Sequence, residues 1–126
     1  MKVLVVDDDK SLRKLMEIVF QEILGNKYKI LLAEDGEEAM SIILNEENIK
    51  LVITDFNMPK KNGIELAKFI RQCCGKIKVI IISNESTLQI QDEARKVANM
   101  FLFKTEFLNY TSEEKQRETI SCLLDS

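Results

Sequence analysis

A chain of 126 residues that is 45% hydrophobic and 31% charged, with a net charge of −3, has the length of one domain and enough apolar material for its own core. The acidic balance offers no broad electropositive field, which speaks against nucleic-acid binding, and the apolar runs are strand-sized with no charged-then-apolar leader, so no signal peptide or membrane association is expected. Three cysteines without paired ligand spacing, in a chain lacking histidine, read as buried reduced thiols of a cytoplasmic protein and argue against zinc.

Lys2 to Val6 is the first of five short apolar segments that lack polar alternation, the pattern of strands buried on both faces of a parallel sheet. A helix is predicted from about Lys10 to Leu24, with Leu12, Leu15, Met16, Val19, Phe20 and Ile23 on one face and Gly25-Asn26 as its stop. Tyr28 to Ala33 is the second strand, about Gly36 to Leu44 the second helix, and Leu51 to Thr54 the third strand. The third helix, from about Gly63 to Cys73, buries Ile64, Leu66, Ala67 and Ile70 and is followed by Gly75. Lys78 to Ile82 is a strand, Thr87 to Val97 a more polar helix, and Met100 to Phe103 the last strand. Thr111 with Glu114 offers a capping box for a final helix that reaches about Leu124 and turns Ile120, Leu123 and Leu124 to the core. Strands alternating with helices predict an α/β sandwich, because parallel neighbours need right-handed crossover helices; periodicity alone leaves the strand order open.

Asp7 and Asp8 follow the first strand and Asp55 follows the third. Open α/β sheets bind ligands at the carboxyl ends of their strands, so these acids are expected to share one pocket. Clustered carboxylates resist ionisation unless a cation balances them, and a divalent metal together with a lysine would do so. Asp7 to Asp9 could instead cap a helix, and Asp9 in particular reads as a cap. Met58-Pro59 and Gly63 read as turn and helix-start chemistry.

The runs Val3-Leu4-Val5-Val6-Asp7-Asp8-Asp9, Ala33-Glu34-Asp35-Gly36-Glu37-Glu38-Ala39 and Thr54-Asp55-Phe56-Asn57-Met58-Pro59, with Gly63, Ser83 closing the fourth strand and Lys104 closing the fifth, resemble the receiver domain of bacterial response regulators. The resemblance spans essentially the whole chain as one receiver domain, residues 1–126, and implies a flavodoxin-like (βα)5 three-layer sandwich with a parallel five-stranded sheet of order 2-1-3-4-5. It also implies that Asp55 accepts a phosphoryl group, that Asp8, Asp55 and the backbone carbonyl of Asn57 bind Mg²⁺ directly and Asp7 through water, and that Lys104 and the Ser83 hydroxyl contact phosphoryl oxygens. Ser83 and Phe101 would form the switch, reshaping the face of the fourth helix, fifth strand and fifth helix toward a downstream protein target. With no histidine in the chain, the donor is expected to be a sensor histidine kinase, a phosphotransfer protein or a small acyl phosphate. The protein is expected to be a monomer or a weak phosphorylation-dependent dimer, and no enzyme beyond its own phosphoryl transfer and dephosphorylation.

Three positions depart from the family pattern. Thr105 replaces the usual proline, and since a cis Lys-Thr bond would cost about 2.5–4 kcal/mol, a trans bond or a remodelled loop is expected. Asn84 stands where Ala or Gly is favoured, and Val97 where a glycine usually ends the fourth helix. These departures motivate the alternative of a non-phosphorylated pseudo-receiver acting as a protein-binding scaffold. A metal-dependent aspartyl phosphatase fits poorly, because position 57 is Asn rather than a second acid. Glu85, two residues beyond Ser83, could face the site or be a solvated charge.

Overall fold

The computed structural model describes residues 1–58, 60–84, 87–104 and 113–124, with the backbone alone at 113, 115 and 116. In chain order the elements are β1 (Lys2–Val6), α1 (Lys10–Leu24), β2 (Lys29–Ala33), α2 (Gly36–Asn45), β3 (Ile49–Asp55), α3 (Gly63–Cys73), β4 (Lys78–Ser83), α4 (Leu88–Val97), β5 (Met100–Phe103) and α5 (Glu113–Leu124). The five strands pair in parallel in the order β2-β1-β3-β4-β5, the flavodoxin-like arrangement expected from the resemblance.

Successive side chains of a strand point to opposite faces, and β1 shows both faces covered. Val3 and Val5 join Met16, Phe20 and Ile23 of α1 with Ile120 and Leu123 of α5. Leu4 and Val6 join Ala39 and Ile43 of α2, Ile64, Ala67 and Ile70 of α3, and Ala94 of α4 on the other side. The result is three layers. Each fully buried aliphatic side chain contributes on the order of 1.5–3 kcal/mol against exposure. The unbroken apolar runs of the central strands follow from this double burial.

Several boundaries differ from the expected ones, each for a local reason. β3 begins at Ile49, which pairs with Lys2 across a register shift, and ends at Asp55, which pairs with Ile82. An apolar run cannot mark strand ends that are polar. Asp55 therefore lies within its strand instead of just beyond it, and Ser83 closes β4 as expected. After α1 a 3₁₀ turn, Gly25–Lys27, delays β2 to Lys29, with Gly25 at φ 67° in the left-handed region. Leu15, expected on the buried face of α1, is 42% exposed. It lies about 100° round the helix from the buried Met16, at the margin of the apolar stripe. The fourth helix stops at Val97 without a glycine, because Ala98 adopts extended angles while its N–H still bonds Ala94 O. The expectation of buried thiols is corrected: Cys73 and Cys122 are exposed and Cys74 is half-buried, all three free. Cys122 is two residues from the core-facing Ile120, about 200° round α5. Thr111 and its capping box lie outside the described residues.

Gly63 brings α3 hard against the end of β3. A Cβ there would lie 2.7 Å from the carbonyl oxygen of Asp55 and 3.1 Å from Phe56 Cα. The Gly63 N–H bonds Phe56 O at 2.9 Å, and Asn62 with Glu65 closes a reciprocal capping box around the same turn. Gly63→Ala is accordingly expected to lower stability to urea by about 1–3 kcal/mol through overpacking. Helix propensity alone would have raised it by up to about 1 kcal/mol, so the sign separates the two effects.

Candidate functional site

The carboxyl ends of β1, β3 and β5 meet in a polar pocket. β1 runs straight into Asp7, whose N–H continues the ladder to Ala33 O at 3.1 Å. Asp7 is fully buried, and its Oδ1 accepts the Asp9 N–H at 2.9 Å. Its carbonyl accepts from Arg13 of α1 at 2.8 Å, which locks the turn between strand and helix. Asp9 is the N-cap of α1, accepting from the N–H groups of Ser11 and Leu12, as its position suggested. That leaves Asp7 and Asp8 unneeded as caps.

Asp55, 9% exposed, reaches the same place from β3. An oxygen from each of Asp7, Asp8 and Asp55 falls within 4.8 Å of the others. Lys104, 7% exposed after β5, enters from the third side, with Nζ 2.9 Å from Asp7 Oδ2 and 3.4 Å from Asp55 Oδ2. Three carboxylates face one ammonium, so the pocket is short of two positive charges.

The titration of the two partners reflects that shortage. Burial, opposed by Lys104 and reinforced by Asp7 and Asp8, pushes the Asp55 carboxyl up from 3.8 to about 6. Burial works against the Lys104 ammonium as well, yet the contact with Asp7 and the charge of Asp55 outweigh it and hold its pKa above the ordinary lysine value. The shared cation is overstabilised, while the Asp55 anion is understabilised.

The donor set fits a hard divalent ion such as Mg²⁺, which takes oxygen ligands and retains several waters. Asp7 Oδ2 is a second sign of fit: it is buried, and its contact is the ion pair with Lys104 at 2.9 Å. A groove of about 390 Å³ along α1, lined by Lys14, Glu17, Ile18, Gln21 and Glu22, contains none of these groups.

The remaining expected residues lie around the pocket. Asn57 is exposed two residues beyond Asp55, in the loop that leads to α3. Ser83 is buried as the last residue of β4, paired in register with Phe103, and Asn84 is exposed in the bend after it. Phe101 is half-buried, packs against the α2–α3–α4 side of the core and meets Phe103 edge-on, with centroids 5.8 Å apart. A plain core role and a switching role both start from this position. Glu85, Thr105 and Pro59 lie outside the described residues.

Sequence reasoning missed the residues that hold the Asn57 loop. Lys60, at φ 71°, reaches Asp35 at 3.6 Å and Glu37 at 3.9 Å at the start of α2. Asp35 is the N-cap of α2, and its carboxyl lies below the ordinary range, chiefly because it accepts the Glu38 N–H. The Asn62 cap carried a readable signal, since Glu65 follows at the capping-box spacing. The Lys60 contact carried none, because it joins two loops far apart in sequence.

A family model described as the response regulator receiver domain matches residues 3–109. The chemotaxis protein CheY homolog of Campylobacter jejuni is 42% identical over 71 residues, covering 56% of this chain and 53% of that protein. A putative two-component response regulator of Arabidopsis thaliana, ARR21, is 35% identical over 85 residues, 67% of this chain and 13% of that protein. The chain thus matches about half or less of the length of these curated relatives. Among solved structures, the response regulator TrrA of Thermotoga maritima, in complex with Mg²⁺ and BeF, superposes with a TM-score of 0.80 at 30% identity, over 97% of each chain. A response regulator receiver domain protein of Clostridium thermocellum does so with a TM-score of 0.81 at 22% identity, over 98% of this chain and 94% of that one, which speaks for the fold alone.

A carboxyl that titrates at about 6 in the folded protein and near 3.8 when unfolded binds its proton more tightly in the native state. Stability from Asp55 is therefore highest below pH 4 and falls as pH rises toward 6, by roughly 3 kcal/mol in all, at about 1.4 kcal/mol for each pH unit between the two values. Asp55→Asn should raise stability by about 1–3 kcal/mol at pH 8 and change it little at pH 4, measured by urea unfolding at both pH values.

Proposed function

This chain belongs to the response regulator receiver domain family, and we propose that it is a two-component receiver in which Asp55 is the phosphoacceptor. The observation that carries this reading is Asp55 set at a strand end beside two further aspartates, with the Lys104 ammonium 3.4 Å from its carboxylate. With its carboxyl titrating at about 6, Asp55 is mostly ionised at neutral pH and able to act as a nucleophile. Its oxygen attacks the phosphorus of a phosphohistidine, the P–N bond breaks, and the imidazole leaves with the electron pair. A small acyl phosphate would serve in the same way, with P–O cleavage. No histidine occurs in the chain, so the phosphoryl group comes from outside, from a sensor histidine kinase or a phosphotransfer protein.

Asp8 and Asp55 would hold Mg²⁺ directly, with the Asn57 carbonyl, and Asp7 through water; when bound, the ion supplies the positive charge that neutralises phosphoryl oxygens. Lys104 orients another of those oxygens. The Ser83 hydroxyl donates to a third and, in moving toward it, opens space into which Phe101 turns away from Phe103. The face of α4, β5 and α5 changes with it, and a protein target reads the change. We take residues 1–126 as one cytoplasmic receiver domain, monomeric or weakly dimeric when phosphorylated; none of the described helices is long and apolar enough to cross a membrane. A pure scaffold would have no use for a buried lysine in contact with two carboxylates, and this favours the phosphorylated reading.

Incubation with acetyl phosphate and Mg²⁺ should add one acid-stable, base-labile phosphoryl group, seen by intact mass, that is lost with EDTA and in Asp55→Asn. A chain that takes no phosphoryl group at Asp55, even from a cognate kinase, would refute the reading. Ser83→Ala should still accept beryllofluoride with Mg²⁺ but lose the accompanying NMR shifts around Phe101, whereas undiminished shifts would remove Ser83 from the switch.

A further inference from the structure

The C-terminal end of α3 carries two adjacent thiols that the phosphoryl chemistry does not use. Cys73 closes the helix and Cys74 is its C-cap, and their sulphurs lie 3.2 Å apart. Cys74 is held in place by its N–H, which bonds Ile70 O at 2.8 Å, and by packing against the α2–α3–α4 side of the core. Cys73 is exposed beside it, and both are free. The pair is thus arranged by the helix terminus before any ligand arrives, and one of its sulphurs is open to solvent.

The geometry narrows the chemistry. Adjacent Cα atoms across a trans peptide are about 3.8 Å apart, below the roughly 4.4–6.8 Å at which disulfides close without backbone movement, so the pair favours the dithiol. Sulphurs 3.2 Å apart with bonds of about 2.3 Å to one centre subtend roughly 90° there. Tetrahedral zinc wants a wider span and two further protein ligands. A trivalent pyramidal centre, whose lone pair takes the remaining position, suits the narrow angle.

We propose that Cys73 and Cys74 form a bidentate site for a trivalent arsenical. Arsenite condenses with the two thiols to give a dithioarsenite and two molecules of water, As(OH)₃ + 2 RSH → (RS)₂As–OH + 2 H₂O, with no change of oxidation state. Two As–O bonds break, two As–S bonds form, and the thiol protons leave in the water. Exposed as the residue is, partial desolvation of its sulphur, and then the contact with Cys74, hold the Cys73 thiol above its ordinary value, so at neutral pH it is the protonated form that this condensation consumes. A divalent metal would have to expel those protons into solvent.

The test uses the full chain and phenylarsine oxide, followed by intact mass under native conditions. One phenylarsenic group per chain, added with loss of one water and stripped by 2,3-dimercaptopropanol, is expected. Loss of chelation should weaken binding by about a hundredfold or more in Cys73→Ser and in Cys74→Ser, while Cys122→Ser keeps wild-type affinity. Cys73 is exposed, so Cys73→Ser remains decisive even if Cys74→Ser disturbs packing. A wild-type chain that takes no adduct, or a Cys73→Ser chain that binds as tightly as wild type, would overturn the proposal.

Discussion

A single buried ammonium shared between two buried carboxylates, with a third, exposed one beside them, is the constraint on which the site depends. Lys104 lies within 3.4 Å of two aspartates and closes the pocket from the β5 side, yet it leaves the charge unbalanced. Ions withdrawn from water cost several kcal/mol each unless their partners compensate, and here compensation is incomplete by arrangement. The consequence appears in opposite responses of the two partners, with lysine more firmly protonated and Asp55 less readily ionised. Such a pocket favours added positive charge. Proteins tolerate this kind of local instability where a function requires it.

Two carboxylates a short distance apart in the fold show how environment decides the outcome. Asp35 is nearly as buried as Asp55, but it caps α2, and the Glu38 N–H it accepts is its dominant influence. Its carboxyl is held low. For Asp55 the dominant influence is burial, and its carboxyl is held high. Residue type and surface exposure are shared, so the difference lies in the surroundings of each carboxyl, a backbone N–H at Asp35 and a far stronger desolvation at Asp55.

The scaffold serves the pocket through close backbone approach more than through bulk. At Gly63 the start of α3 presses on the end of β3, and at Gly36 a Cβ would lie 2.5 Å from Lys61 Cβ, so the two loops beside the acids fit only without side chains. Lys60 ties the same loops together by charge. Phe101 and Phe103 stand on the adjoining edge strand, β5, half-buried along its length, with Ser83 beside them at the end of β4. A rearrangement there would disturb little core.

The alternation of strands and helices, the double burial of the central strands and the appearance of the acids at strand ends were all legible in the sequence. Each is a local consequence of periodicity and polarity, and neighbours in the chain suffice to express it. Strand order came with the family resemblance, since no run of residues names its partner across a sheet. The polar end of β3, the exposure of Leu15 and of the thiols, and the Lys60 bridge required the folded chain. So did the 2.9 and 3.4 Å approaches of Lys104 and the raised titration of Asp55. Distances and burial between segments far apart in sequence arise only when the sheet assembles, because they depend on the paths of several elements at once.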